Sequence, residues 1–223
     1  MPTLAMIHTS PLVIPVFSKL AAAKLPQVEC FHMLDESLLK NTLKAGRLEP
    51  ATTRRVASMT SLAGEAGADV VLVTCSSIGP AVDVARQVVA FPVVRVDEAM
   101  ADAAVAQGGR IGVAATLRST LEPTVSLIEA RARLMGIERE VEPQLCEGAF
   151  EAASAGDAER HDQLVERGLL ELAGGVDVIV LAQASMARVV AALPPGRISV
   201  PILSSPESAI ERAAEALRSL AAG

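Results

Sequence analysis

Asp69-Val-Val-Leu-Val-Thr-Cys-Ser-Ser-Ile-Gly-Pro80 is the most informative run in the chain. Four apolar residues, Val70 to Val73, lead into Thr74, Cys75, Ser76 and Ser77, and Gly79-Pro80 follows. A short, continuous apolar run closed by turn residues reads as a strand buried on both faces, the kind found in parallel sheets. Pro80 suits the first turn of a helix, where its missing N–H costs nothing, so a helix is expected from about Pro80 to Val89. Cys75 then sits where a parallel strand ends and a helix begins, which is where open α/β sheets bind ligands. Helix amides and the helix dipole at that point favour a thiolate. The competing reading is a free cysteine buried as a small apolar residue.

Working outward, the run has a second copy. Gly67-Ala-Asp-Val-Val-Leu-Val-Thr-Cys75 matches Gly175-Val-Asp-Val-Ile-Val-Leu-Ala-Gln183 at a shift of 108. Phe91-Pro-Val-Val ahead of Glu98 matches Val200-Pro-Ile-Leu ahead of Glu207 at 109, and Met6-Ile-His-Thr9 matches Val113-Ala-Ala-Thr116 at 107. Three concordant shifts in chain order imply two homologous halves rather than a solenoid, which needs more copies.

Strand and helix signals alternate throughout. Strands are expected at Leu4–Ile7, Val28–Met33, Val70–Val73 and Pro92–Val96. In the second half they are expected at Arg110–Ala115, Glu138–Val141, Asp177–Leu181 and Val200–Leu203. Helical stretches lie between them. One runs from Glu49 to about Glu65 with Val56, Met59, Leu62 and Ala63 on one side. Another starts at Asp157, and the last covers Pro206–Ala221. The stretch Gln144–Gly156 is small and polar and reads as loop with a short helical piece. This alternation is the signature of α/β architecture with parallel sheets and right-handed crossovers. The expected domains are residues 1–96 plus 207–223, and residues 97–206, with Thr9, Cys75, Thr116 and Gln183 brought to one cleft.

Composition narrows the function. The 223 residues are half hydrophobic but include no Trp, no Tyr and only four Phe, so a pocket built here suits a small ligand held by small polar groups. The net charge of −6, with signs mixed along the chain, excludes a nucleic-acid footprint. Cys30, Cys75 and Cys146 form neither a disulfide framework nor a zinc spacing, which fits a reducing cytoplasm. Leu4-Ala-Met-Ile7 reads as strand with no charged n-region or long apolar h-region before it, so no leader segment is expected, and no apolar run approaches the ~18 residues of a membrane span. Gly108-Gly109 is too short for a phosphate loop and precedes a strand.

Hydroxyls gather at the expected carboxyl ends of strands: Thr9, Ser10, Thr74, Ser76, Ser77, Thr116, Ser185, Ser204 and Ser205. Singly, each is also an ordinary helix cap. Together with backbone N–H groups they suit a carboxylate and the enolate-like charge that forms when its α-proton leaves. A cysteine is a workable base for that step once its pKa is lowered. His8 ends the first strand as a proton carrier, an anion donor or a packed turn residue. His161-Asp162 reads as solvated helix surface or as a lid. Asp35-Glu36-Ser37 and Asp97-Glu98 read as helix starts, with Asp35 and Asp97 as caps. Cys30 falls in a strand and Cys146 in a loop, and both are expected to be inert.

Val-Thr-Cys75-Ser-Ser and Leu-Ala-Gln183-Ala-Ser-Met, one at each equivalent strand end of a duplicated α/β chain, resemble the aspartate/glutamate/hydantoin racemase superfamily over essentially the whole length. The resemblance implies two flavodoxin-like lobes, each a four-stranded parallel sheet flanked by helices, with the active site in the cleft between them. It also implies chemistry without cofactor or metal, a small carboxylate as partner, and pairing of subunits into a homo-oligomer. Racemases of that superfamily use one cysteine from each lobe as paired acid and base. Cys75 matches the first cysteine, whereas Gln183 occupies the position of the second. An amide cannot trade protons near neutral pH, but it can donate a hydrogen bond to a carboxylate or carbonyl.

The site expected on this reading is Cys75 as acid/base, with His8, Thr9, Thr74, Ser76, Ser77, Thr116, Gln183, Ala184 and Ser185 as substrate-binding positions. Three activities are compatible with it. The first is a racemase/isomerase moving a proton at the carbon α to a carboxylate. The second is a single-cysteine decarboxylase of the arylmalonate decarboxylase type. The third is a binding protein without turnover.

Overall fold

The computed structural model describes residues 1–222. The chain divides into two compact units, residues 1–99 with 206–223 and residues 100–205. The first half runs β1 (Thr3–His8), α1 (Ile14–Lys24), β2 (Glu29–Leu34), α2 (Glu36–Ala45), α3 (Pro50–Glu65), β3 (Val70–Val73), α4 (Ala81–Ala85) and β4 (Val93–Arg95). The second runs α5 (Glu98–Gln107), β5 (Arg110–Ala115), α6 (Arg118–Leu134), β6 (Glu140–Leu145), α7 (Ala149–Ser154), α8 (Ala158–Ala173), β7 (Val178–Leu181), α9 (Ala187–Ala192) and β8 (Ile202–Ser204), before the closing α10 (Ser205–Ala222).

Each half forms its own all-parallel sheet with the same order of strands, β2-β1-β3-β4 and β6-β5-β7-β8. The central strands β3 and β7 are buried along their whole length, as their Val/Ile/Leu runs require. In the first unit, Leu4, Met6, Val70 and Leu72 face Phe17 of α1 and Ala209, Ile210, Ala213 and Leu217 of α10. Ala5, Ile7, Val71 and Val73 pack on the other side against Leu38, Val56 and Ala63 of α2 and α3. The second unit repeats the arrangement, with Ile111, Val113, Val178 and Val180 on one face and Ala114, Ile179 and Leu181 on the other. Among the described residues no helix is long and apolar enough to cross a membrane.

Four expectations need correction. The helix after Cys75 is short: a 3-10 turn at Ser76–Ile78 precedes α4, which ends at Ala85 rather than Val89. The strand expected at Glu138–Val141 is β6, which continues to Leu145 and so takes in Gln144. It carries Pro143, which an outermost strand tolerates because one side of its ladder is free. Leu62 is 53% exposed, because the buried stripe of α3 runs through Thr52, Val56, Thr60 and Ala63. His161 is buried rather than solvated.

Candidate active site

The first unit's site grows from parallel pairing of β1 and β3, in which Ile7 lies opposite Val73. One step further along, Thr74 N–H donates to the Ile7 carbonyl (3.0 Å), so the two strands leave the sheet side by side. Cys75 keeps an extended backbone (φ −127°, ψ 117°), and the chain then tightens into the 3-10 turn. The turn closes with Ile78 N–H on the Cys75 carbonyl (3.3 Å) and Gly79 N–H on the Ser76 carbonyl (3.0 Å).

Four donors converge on the Cys75 thiol: the Thr9 hydroxyl, the Ser77 and Ile78 backbone N–H groups, and the Ser77 hydroxyl. Each favours a thiolate. Burial opposes them and is the larger effect, so the thiol is pushed above the usual cysteine range. The expectation of a lowered pKa is therefore reversed in the free protein. The helix dipole invoked for it is missing too, because α4 has only five residues. Cys75 as a residue nevertheless keeps part of its surface accessible.

Behind the turn, Arg95 at the end of β4 clamps Asp97 with two hydrogen bonds, Nε to Oδ1 at 2.6 Å and Nη2 to Oδ2 at 3.0 Å. Both side chains are buried. The guanidinium lies so close to Gly79 that a Cβ there would fall 2.4 Å from Arg95 Nε. Gly79 thus has to be glycine for the buried pair to back the Cys75 turn. Asp97, read from sequence as a helix cap, has its carboxylate held by Arg95. Asp35 does cap α2, accepting from Ser37 N–H at 3.0 Å, and it also pairs with Arg55.

His8 is fully buried and bonded on both ring nitrogens, with Thr74 Oγ1 2.8 Å from Nδ1 and His32 Nδ1 2.9 Å from Nε2. Burial, and then the nearby His32, lower its pKa to about 4. Burial also lowers that of His32. Both rings are therefore neutral at physiological pH. His32 was not singled out from sequence. Only the β1–β2 register, which sets Met6 opposite His32, puts the two rings on one face of the sheet.

The second unit shows the same backbone with other chemistry. Gln183 is extended (φ −130°, ψ 132°) and leads into a 3-10 turn at Ala184–Met186, as Cys75 leads into Ser76–Ile78. Gln183 Oε1 accepts from Thr116 N–H (2.6 Å) and from the Thr116 hydroxyl (3.0 Å). A backbone N–H can only donate, so the amide oxygen faces Thr116 and Nε2 keeps its hydrogens for another acceptor. Ala184 is half-buried and Ser185 exposed in the turn that follows.

Of the positions expected from sequence, His8, Thr9, Thr74, Ser76 and Ser77 gather around or next to Cys75, and Thr116 gathers with Gln183. His161 Nδ1 lies 2.8 Å from Asp162 Oδ1, and Arg188 also holds that carboxylate. Arg188, and to a lesser degree His161, keep Asp162 below the usual carboxylate range. The other two thiols are shifted in the same direction as that of Cys75. Burial raises the Cys30 thiol and pushes Cys146 up to about 11. Among the described residues, no group of three or more His, Cys, Asp or Glu is placed to hold a metal ion.

Comparison with known proteins agrees with this architecture. The family model described as Asp/Glu/Hydantoin racemase matches residues 7–217. No curated protein matches the chain significantly in sequence. Among solved structures, a glutamate racemase from Bacillus anthracis aligns with a TM-score of 0.73 at 18% identity, covering 98% of this chain and 82% of that one. A Picrophilus torridus aspartate racemase gives 0.72 at 12% identity, over 98% and 95% of the two chains. An allantoin racemase from Klebsiella pneumoniae gives 0.65 at 20% identity, over 100% and 88%. At such identities the likeness is one of fold.

Proposed function

Because this chain belongs to the Asp/Glu/hydantoin racemase family, we propose that it is a cofactor-independent racemase/isomerase-type enzyme that moves a proton at the carbon α to the carboxylate of a small acid, with Cys75 as the acid/base. The observation that carries this reading is the convergence of four donors on the Cys75 thiol. A structural cysteine needs none of them. A thiolate that takes up an α-proton and gives it back needs its charge held between the two events. The balance is simple. Sulfur removes the proton and the electron pair moves into the carboxylate as an enediolate; the thiol proton exchanges with solvent, and its return to the same face gives isotope exchange, whereas its return after the planar enediolate has turned over gives the opposite enantiomer. Burial favours the thiol of the resting protein, and the donors limit the cost of ionising it.

Gln183 takes no proton in this scheme. Its oxygen is tied to Thr116, which leaves the Nε2 hydrogens free to donate to an acceptor. That single observation favours a second reading, a lyase in which one thiol protonates an enediolate left by loss of carbon dioxide.

The test is a panel of small chiral and malonate-type acids incubated in D₂O and followed by proton NMR, with Cys75→Ala as control. α-Deuteration without loss of mass is the expected result, with activity falling to background in the Cys75→Ala protein. Release of carbon dioxide with formation of one enantiomer identifies the lyase. Binding without turnover across the panel refutes both and leaves a binding protein.

A further inference from the structure

Four polar side chains line up on one face of the first sheet: Ser18 of α1, His32 of β2, His8 of β1 and Thr74 beyond β3. Ser18 Oγ is 3.0 Å from His32 Nε2, His32 Nδ1 is 2.9 Å from His8 Nε2, and His8 Nδ1 is 2.8 Å from Thr74 Oγ1. Thr74 Oγ1 also donates to the Ile7 carbonyl at 3.0 Å. That last bond sets the direction of the whole row. A carbonyl only accepts, so the single hydroxyl hydrogen of Thr74 is spent on Ile7. His8 Nδ1 must then carry the hydrogen of the next bond, leaving Nε2 bare to accept from His32 Nδ1–H. His32 Nε2 in turn accepts from the Ser18 hydroxyl. Each ring is thereby fixed in one neutral tautomer, and the row has no slack.

The row ends one residue from the thiol on both strands. Thr74 precedes Cys75, and His8 precedes Thr9, whose hydroxyl donates to the Cys75 thiol. Thr74 and His8 point to the α1 side of the sheet. Alternation along a strand therefore sends Thr9 and Cys75 to the opposite side. Fixing one pair fixes the other. The ring of His8 is further held by Phe17, 5.9 Å away between centroids.

We propose that His8 is a positioning residue for Cys75: by donating to Thr74 it locks the ends of β1 and β3 together and so sets the Thr9 hydroxyl on the thiol. The proposal rests on the reading of Cys75 as the reacting group, but its test needs no substrate. The rate of Cys75 alkylation by iodoacetamide is measured from pH 6 to 10, with peptide mapping to separate it from Cys30 and Cys146. The proteins compared are wild type, His8→Ala, His8→Asn and Thr74→Val. Asn can place an amide N–H where Nδ1–H stood, whereas Ala cannot.

The expected result is a profile displaced to higher pH in His8→Ala, with alkylation at pH 8 slower by about threefold or more. His8→Asn should return towards wild type. Thr74→Val, which keeps the shape of the side chain and removes the acceptor, should behave like His8→Ala. Superimposable profiles for wild type and His8→Ala overturn the proposal, and so does a displacement that Asn does not relieve. If His8→Ala does not fold, Thr74→Val decides alone, and an unchanged profile there overturns it. Failure of the catalytic reading shows separately, as α-deuteration that survives Cys75→Ala.

Discussion

At Cys75, burial and hydrogen bonding act on one thiol in opposite directions, and their difference sets how readily it ionises. Thr9 contributes one of the donors. Thr9→Val keeps the volume and deletes the O–H, so the thiolate loses a charge-assisted bond while the desolvation stays. The thiol should rise further, and alkylation at pH 8 should slow by roughly tenfold with no change in melting temperature. At this scale the sequence was informative about identity and poor about sign. Cys75 stood out because turn residues follow an apolar run. The crowding that reverses the shift comes from the α2–α3 side of the sheet, where Cys75 packs against the cluster of Leu38, Val56 and Ile78. The His8–His32 pair was equally hidden, since no local pattern reveals which residue of β2 lies beside β1.

At the scale of elements, the turn after β3 is held from behind. The Arg95–Asp97 pair is buried, and removing one partner of such a pair leaves an uncompensated charge. Asp97→Asn should therefore lower stability by about 3–5 kcal/mol, read as a drop in the urea midpoint. Gly79→Ala should act in the same direction by driving the guanidinium off its carboxylate. The central strands β3 and β7 were plain in the sequence because strands covered on both faces must be apolar throughout. The outermost strand β6 was only half legible, since Glu140, Glu142 and Pro143 break the pattern where one side is open. In α3, buried Thr52 and Thr60 take places expected of apolar residues. Thr60 manages this by returning its hydroxyl to the Val56 carbonyl at 2.9 Å. That bond satisfies the polar atom inside the helix and leaves Leu62 on the outside.

For the whole molecule, the neutral histidines couple folding to pH. His8 in the folded chain titrates at about 4, against 6.5 when unfolded. Between those values the unfolded chain binds the extra proton, so stability falls as the pH is lowered through that window and is fully present above it. Urea midpoints at pH 7.5 and 4.5 should differ in that direction. The difference should shrink in His8→Asn, which has no ring to protonate. The duplicated plan itself was readable, because the two halves kept their strand ends in register at a nearly constant shift.

The first unit takes its final helix from the far end of the chain. Ala209, Ile210, Ala213 and Leu217 of α10 cover Leu4, Met6, Val70 and Leu72, all of which precede residue 100. During synthesis the sheet that carries Cys75 is thus the first to emerge and the last to be roofed. Until the ribosome has delivered the second unit and the closing helix, an apolar face waits uncovered. The nascent chain is then vulnerable to aggregation and a natural client for holding chaperones. A message that stops after residue 204 would yield a protein with Cys75 in place and the apolar surface that α10 covers exposed to water.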